Sequence, residues 1–109
     1  TDYRLSFSSP LTFLRNDGTV WTTDGTLTWP DGIPGFYAQC GDVPPVSSLQ
    51  WTLANLKTGG SVSEQVNFGP ARIACWGMPH VISPEVFFPL RLTPGETTSW
   101  MREWTFSSI

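Results

Sequence analysis

The feature that most constrains this chain is a period-two alternation of apolar and polar side chains, in runs too short to be anything but strands. Tyr3, Leu5 and Phe7 alternate with Arg4, Ser6 and Ser8, and Leu49, Trp51 and Leu53 alternate with Gln50 and Thr52. Successive side chains of a strand point to opposite faces, so each run predicts a half-buried strand. β-branched and aromatic residues dominate the runs, as a pleated surface prefers. Helical periodicity is nearly absent, and residues 53–56 are the one place where a helical turn fits.

Turn chemistry separates the runs. Asn16-Asp17-Gly18, Asp24-Gly25 and Pro30-Asp31-Gly32 follow one another closely. Glycine accepts the positive φ of a tight hairpin, so these steps predict successive hairpin turns. Strands are expected over 3–7, 11–15, 19–23, 26–29, 36–40, 49–53, 62–68, 71–76, 86–92 and 99–106. Pro44-Pro45 and Gly69-Pro70 interrupt the pattern because proline lacks the ladder donor. Residues 77–84 read as irregular, and Pro89 marks its strand as an edge. About nine or ten short strands at regular spacing predict an all-β fold. An antiparallel two-sheet sandwich, jelly-roll or immunoglobulin-like, fits best; closure into a barrel is the alternative.

With 109 residues the chain has room for one domain, 1–109, around one core. Charged and aromatic residues each make up 14% of it, a balance opposite to that of a disordered chain. The net charge is −3 and the six basic residues are scattered, which argues against nucleic acid as a partner. Apolar runs are only a few residues long, too short to span a bilayer as helices. The chain opens directly on a strand, as a mature secreted domain or a piece of a larger protein would.

Cys40 and Cys75 each sit in a strand-like segment, and neither belongs to a CxxC pair. With one histidine, His80, a zinc site lacks ligands. The two are either buried thiols or one disulfide, and the extracellular look of the composition favours the Cys40–Cys75 disulfide. If both point inward, Phe36, Ala38, Cys40 and Ile73 do so too. Tyr37, Gln39, Arg72, Ala74 and Trp76 then face outward. Were the two strands neighbours, Tyr37, Gln39, Arg72 and Trp76 would surround the small Ala74 as an aromatic platform edged by amide and guanidinium groups.

Six tryptophans are more than a core of this size easily buries. Trp51 and Trp104 share faces with apolar neighbours and are expected in the core, with Trp100 undecided beside a turn. Trp21, on a Thr-rich surface, and Trp29, before a turn, join Trp76 as candidates for exposure. Catalysis finds little footing. There is no GxSxG elbow, the lone histidine has no nucleophile beside it, and the carboxylates are spread over turns and separate strands. No cofactor is required, although Asp17, Asp24, Asp31 and Asp42 would make oxygen ligands for calcium if their turns converge.

Flat aromatic rings bordered by hydrogen-bonding groups suit sugars, whose C–H faces stack on indole and phenol. Aromatic-rich, acidic, with Thr/Ser-rich strands and about one hundred residues, the chain resembles small carbohydrate-binding modules of bacterial cellulases and related hydrolases. That resemblance implies a β-sandwich that binds β-glucan or a related plant polysaccharide, often with a structural calcium. It also implies a secreted protein joined to a catalytic glycoside hydrolase domain. Trp76, Tyr37, Trp21, Trp29, Gln39 and Arg72 are the residues expected to hold the glycan. A second resemblance lies in Leu92-Thr93-Pro94-Gly95-Glu96-Thr97, similar to a turn of mutarotase-like sandwiches and of small bacterial proteinase inhibitors. It implies a protein-binding alternative, with Val43-Pro44-Pro45 or Met78-Pro79-His80 as the presented loop.

Overall fold

A computed structural model describes residues 3–18, 20–23, 26–27, 35–78 and 81–108. Among these residues there are ten strands and no helix: β1 (Tyr3–Phe7), β2 (Leu11–Arg15), β3 (Val20–Thr23), β4 (Thr26–Leu27), β5 (Phe36–Cys40), β6 (Leu49–Asn55), β7 (Ser61–Val66), β8 (Arg72–Met78), β9 (Val81–Phe87) and β10 (Arg102–Ser107). They form two five-stranded antiparallel sheets, the first ordered β10-β7-β6-β1-β4 and the second β3-β2-β5-β8-β9. The all-β sandwich expected from alternation is the fold observed.

The inner faces meet in a core of Leu5, Phe7, Leu49, Trp51 and Val66 from the first sheet. Leu11, Phe13, Phe36, Ala38, Ile73 and Val86 face them from the second. Gly77 stands opposite Phe36. A Cβ at that position would run into the Phe36 ring, so the bare backbone there makes room for the aromatic. The first sheet's outer face is plain: Ser6, Gln50, Thr52, Ser61, Ser63, Gln65, Glu103 and Thr105 alternate with the inward residues.

Three expectations about strands need correction. Of residues 77–84, read as irregular, the described ones are strand: β8 runs on to Met78, and β9 begins at Val81 and passes through Pro84. Proline is tolerated there because β9 is an edge, with one side of its ladder free. The strand expected over 86–92 ends at Phe87, and the last strand starts at Arg102 rather than Ser99. Between them no strand forms and the chain is mostly exposed, with tight turns closed by the Leu90 N–H donating to Phe88 O at 2.9 Å and the Glu96 N–H donating to Thr93 O at 3.0 Å. Trp104 is not core. It projects to the inner side of β10 and meets Trp51 edge-on at 5.9 Å, but it borders an open cleft beside β9 and its indole is 49% exposed.

The disulfide is also overturned: Cys40 and Cys75 are both buried free thiols. Both do point inward, but Cys40 stands opposite Ile73 and Cys75 opposite Ala38. Diagonal neighbours on paired strands lie about 7–8 Å apart, whereas a disulfide needs β-carbons within about 4.5 Å. Two residues of register keep the sulfurs apart. Ellman's reagent should therefore count two thiols in urea without reductant, and a count of zero would restore the bridge.

Burial, with a smaller push from the Glu85 carboxylate, raises the Cys75 thiol from its ordinary 9.0 to about 12. Burial is also the main cause that raises Cys40. Above pH 9 the unfolded chain releases thiol protons that the native chain retains. The stability contributed by Cys75 is therefore complete below that pH and is lost as pH climbs through the folded value near 12. Urea titrations at rising pH should show this decline, and Cys75→Ala should flatten it.

Candidate functional site

β5 and β8 are adjacent, and their register places Tyr37 opposite Trp76 and Gln39 opposite Ala74 on the outer face of the second sheet. β9 extends both rows, with Ser83 beside Trp76 and Glu85 beside Ala74, and adds a third in which Phe87 stands beside Arg72. Neighbouring strands lie about 4.8 Å apart, and successive rows on one face about 7 Å. A row of rings thus runs parallel to a row of hydrogen-bonding groups. Trp76 is 41% exposed and Tyr37 half-buried. Ala74 has no exposed surface even on this outer face, because the longer side chains around it close over its methyl group.

Arg72 is held in place from two sides. Its guanidinium lies 4.2 Å from the centre of the Phe87 ring, and its Nη1 donates to Gln39 Oε1 at 3.3 Å. A cation packed on a ring and hydrogen-bonded to an amide keeps fewer rotamers free, which lowers the entropy lost when a ligand docks. The Gln39 amide nitrogen and the remaining guanidinium donors stay available for further hydrogen bonds. On the other side of Gln39 the same face dips into a groove of about 470 Å³, lined by Thr12, Leu14, Val20 and Asp42. Gln39 belongs to both the platform and the groove.

Four of the six expected glycan-binding residues, Tyr37, Gln39, Arg72 and Trp76, therefore come together. Trp21 does not join them. It pairs with Phe13 and turns to the inner face, where its ring meets Phe36 edge-on at 5.0 Å and Arg15 lies over it at 4.5 Å. Packed against the core, it is a wall of the sandwich rather than a surface contact. Trp29 lies outside the described residues, as do Asp24, Asp31 and His80. Asp17 pairs with Arg15 at 3.5 Å in the β2–β3 turn, and Asp42 follows β5. Among the described residues no three His, Cys, Asp or Glu side chains converge as a metal site would require. Val43, expected to head a presented loop, packs against the core.

Ser83, Glu85 and Phe87 were missed by sequence reasoning. Phe87 fell within the strand expected over 86–92, but Pro84 disguised the earlier part of β9 that carries Ser83 and Glu85. A second group was missed as well. Glu64 is buried at 2% exposure on the inner face of β7. Its Oε1 accepts from the Trp51 indole N–H at 2.9 Å and its Oε2 from Arg102 Nη1 at 3.2 Å. Arg102 Nη2 reaches across to Val86 O at 2.7 Å. Above this network opens a cleft of about 490 Å³ walled by Phe88, Trp100 and Trp104. Trp100 stacks on Phe88 at 4.2 Å and 17°.

No family model, curated protein or solved structure matches the chain.

The network makes its own prediction. Trp51→Phe keeps a six-membered aromatic ring but removes the pyrrole half of the indole and with it the donor to a buried carboxylate. It should lower unfolding free energy by at least about 1–3 kcal/mol, the cost of leaving a buried acceptor unpaired, with the vacated volume adding to it. Urea denaturation measures this, and a loss of a few tenths would mean that water replaces the indole.

Proposed function

We propose that this domain is a non-catalytic carbohydrate-binding module. The observation that carries the reading is the cross-strand pair of exposed Trp76 and half-buried Tyr37 beside the Arg72–Gln39 hydrogen bond. Exposed aromatic surface is kept where it is used, and the polar outer face of the first sheet shows that this chain can cover a sheet with Ser, Thr and Gln. In this reading, C–H faces of pyranose rings stack on Trp76 and Tyr37. Ring hydroxyls donate to Glu85 and accept from Arg72 and Gln39.

The groove beside Gln39 would extend the contact across the strands, which suits a polymer better than a single sugar. The reading assigns the platform no catalytic step: Glu85 is its exposed carboxylate, and cleavage of a glycosidic bond ordinarily uses two facing each other. A β-glucan or related plant polysaccharide is the ligand class we assign, with the module tethering a hydrolase domain to its substrate outside the cell.

Affinity electrophoresis against soluble β-glucan, xyloglucan and xylan tests the proposal. At least one should retard the protein. Trp76→Ala should weaken that binding by about tenfold or more, in line with losing a central aromatic anchor. Gln39→Ala should have a smaller effect. As an exposed substitution, Trp76→Ala should leave the melting temperature nearly unchanged. Retardation by none of the glycans would sink the class, and retardation that survives Trp76→Ala would sink the platform.

A further inference from the structure

β10 is the outermost strand of the first sheet, and the hydrogen-bond phase of its ladder is fixed by one contact. The Asn67 N–H donates to Met101 O at 3.2 Å, continuing the pairing of Arg102 with Val66. In an antiparallel pair, hydrogen-bonded and non-bonded positions alternate. Glu103, Thr105 and Ser107 therefore bond to β7, while the N–H and C=O groups of Arg102, Trp104 and Phe106 aim at the open side. Among the described residues no strand receives them.

The side chains at these same positions stand on the inner face, where Arg102 reaches the second sheet at Val86 O and Trp104 and Phe106 are left largely uncovered. Phe106 is 78% exposed, and Trp104, Trp100 and Leu90 are each about half exposed along the adjoining cleft. Together these four leave on the order of 500 Å² of apolar side chain in water. A standard interface covers about 800 Å² per partner, so the backbone edge and its flanks supply most of the remainder. β10 itself carries no proline, no lysine and no bulge, and its one inward-pointing charge, Arg102, is taken up by Glu64 and the Val86 carbonyl rather than facing the open edge.

We infer that β10 is a self-association edge, which pairs antiparallel with β10 of a second copy across a two-fold axis. Two requirements select the second copy. The open hydrogen-bonding groups belong to even-numbered residues, so a partner strand must present groups of matching phase. To continue the sheet, its uncovered apolar side chains must also fall on the same face. A second β10 meets both conditions with one register class, even residue opposite even residue, and Trp104 and Phe106 of the two copies then cover each other. The paired edge lies on the first sheet, away from the Tyr37–Trp76 platform, and does not depend on what that platform binds.

Sedimentation velocity over a micromolar concentration series tests this. The protein should show a reversible monomer–dimer equilibrium. Phe106→Pro removes one N–H from the open edge without touching the β7 ladder, and Phe106→Glu places like charges near the axis. Each should weaken the dimer by about tenfold or more. An unchanged circular-dichroism melt certifies that the variants fold, and Phe106→Glu serves alone if Phe106→Pro does not. A wild-type protein that stays monomeric throughout overturns the inference. So does a dimer that both variants leave intact, because it must then form elsewhere.

Discussion

The Glu64 carboxylate fastens the open flank of the sandwich. A charge with 2% exposure is tolerable only if fully paired, and Glu64 spends its two oxygens on the Trp51 indole and the Arg102 guanidinium. Arg102 then reaches over to the Val86 carbonyl of the opposite sheet. One polar chain thus runs from the middle of the first sheet, through its edge strand, to the edge of the second. Beside it, β10 is tied to the core by the Trp104 ring meeting Trp51 edge-on at 5.9 Å and by Arg102 lying over Phe68 at 5.3 Å. The aromatic cleft above exists because this polar floor holds its two walls at a fixed separation.

The same edge shows why some of the fold was legible in the sequence and some was not. Alternation correctly put Trp104 and Phe106 on the inner side of their strand, since facing is a local property with period two. Whether anything covers that side depends on how closely the other sheet and its flanking segment pack there, and no local pattern encodes the cleft left between them. Trp21 failed in the opposite way. Its threonine neighbours suggested a solvent-facing surface, but opposite Phe13 its ring closes the end of the core. At a sheet edge a single aromatic decides the inward face, and small polar neighbours carry little weight.

The platform was legible because two residues anchored its geometry. Once Cys40 and Cys75 were placed inward, parity assigned Tyr37, Gln39, Arg72 and Trp76 to the other face, and the adjacency of β5 and β8 completed it. Parity is insensitive to a shift of register by two, so the face could be right while the disulfide was wrong. The third strand of the face escaped notice because Pro84 breaks the compositional pattern without breaking an edge strand.

That register offset has a further consequence. The two sulfurs are packed among apolar side chains on neighbouring strands, protonated and out of bonding range of each other. The domain therefore closes its core by packing alone, with no covalent link between its strands. A medium that reduces or oxidises exposed sulfur finds no bond to cut and no ready thiolate to attack. Its integrity does not depend on the redox state of the surroundings, a freedom denied to small domains held shut by cross-links.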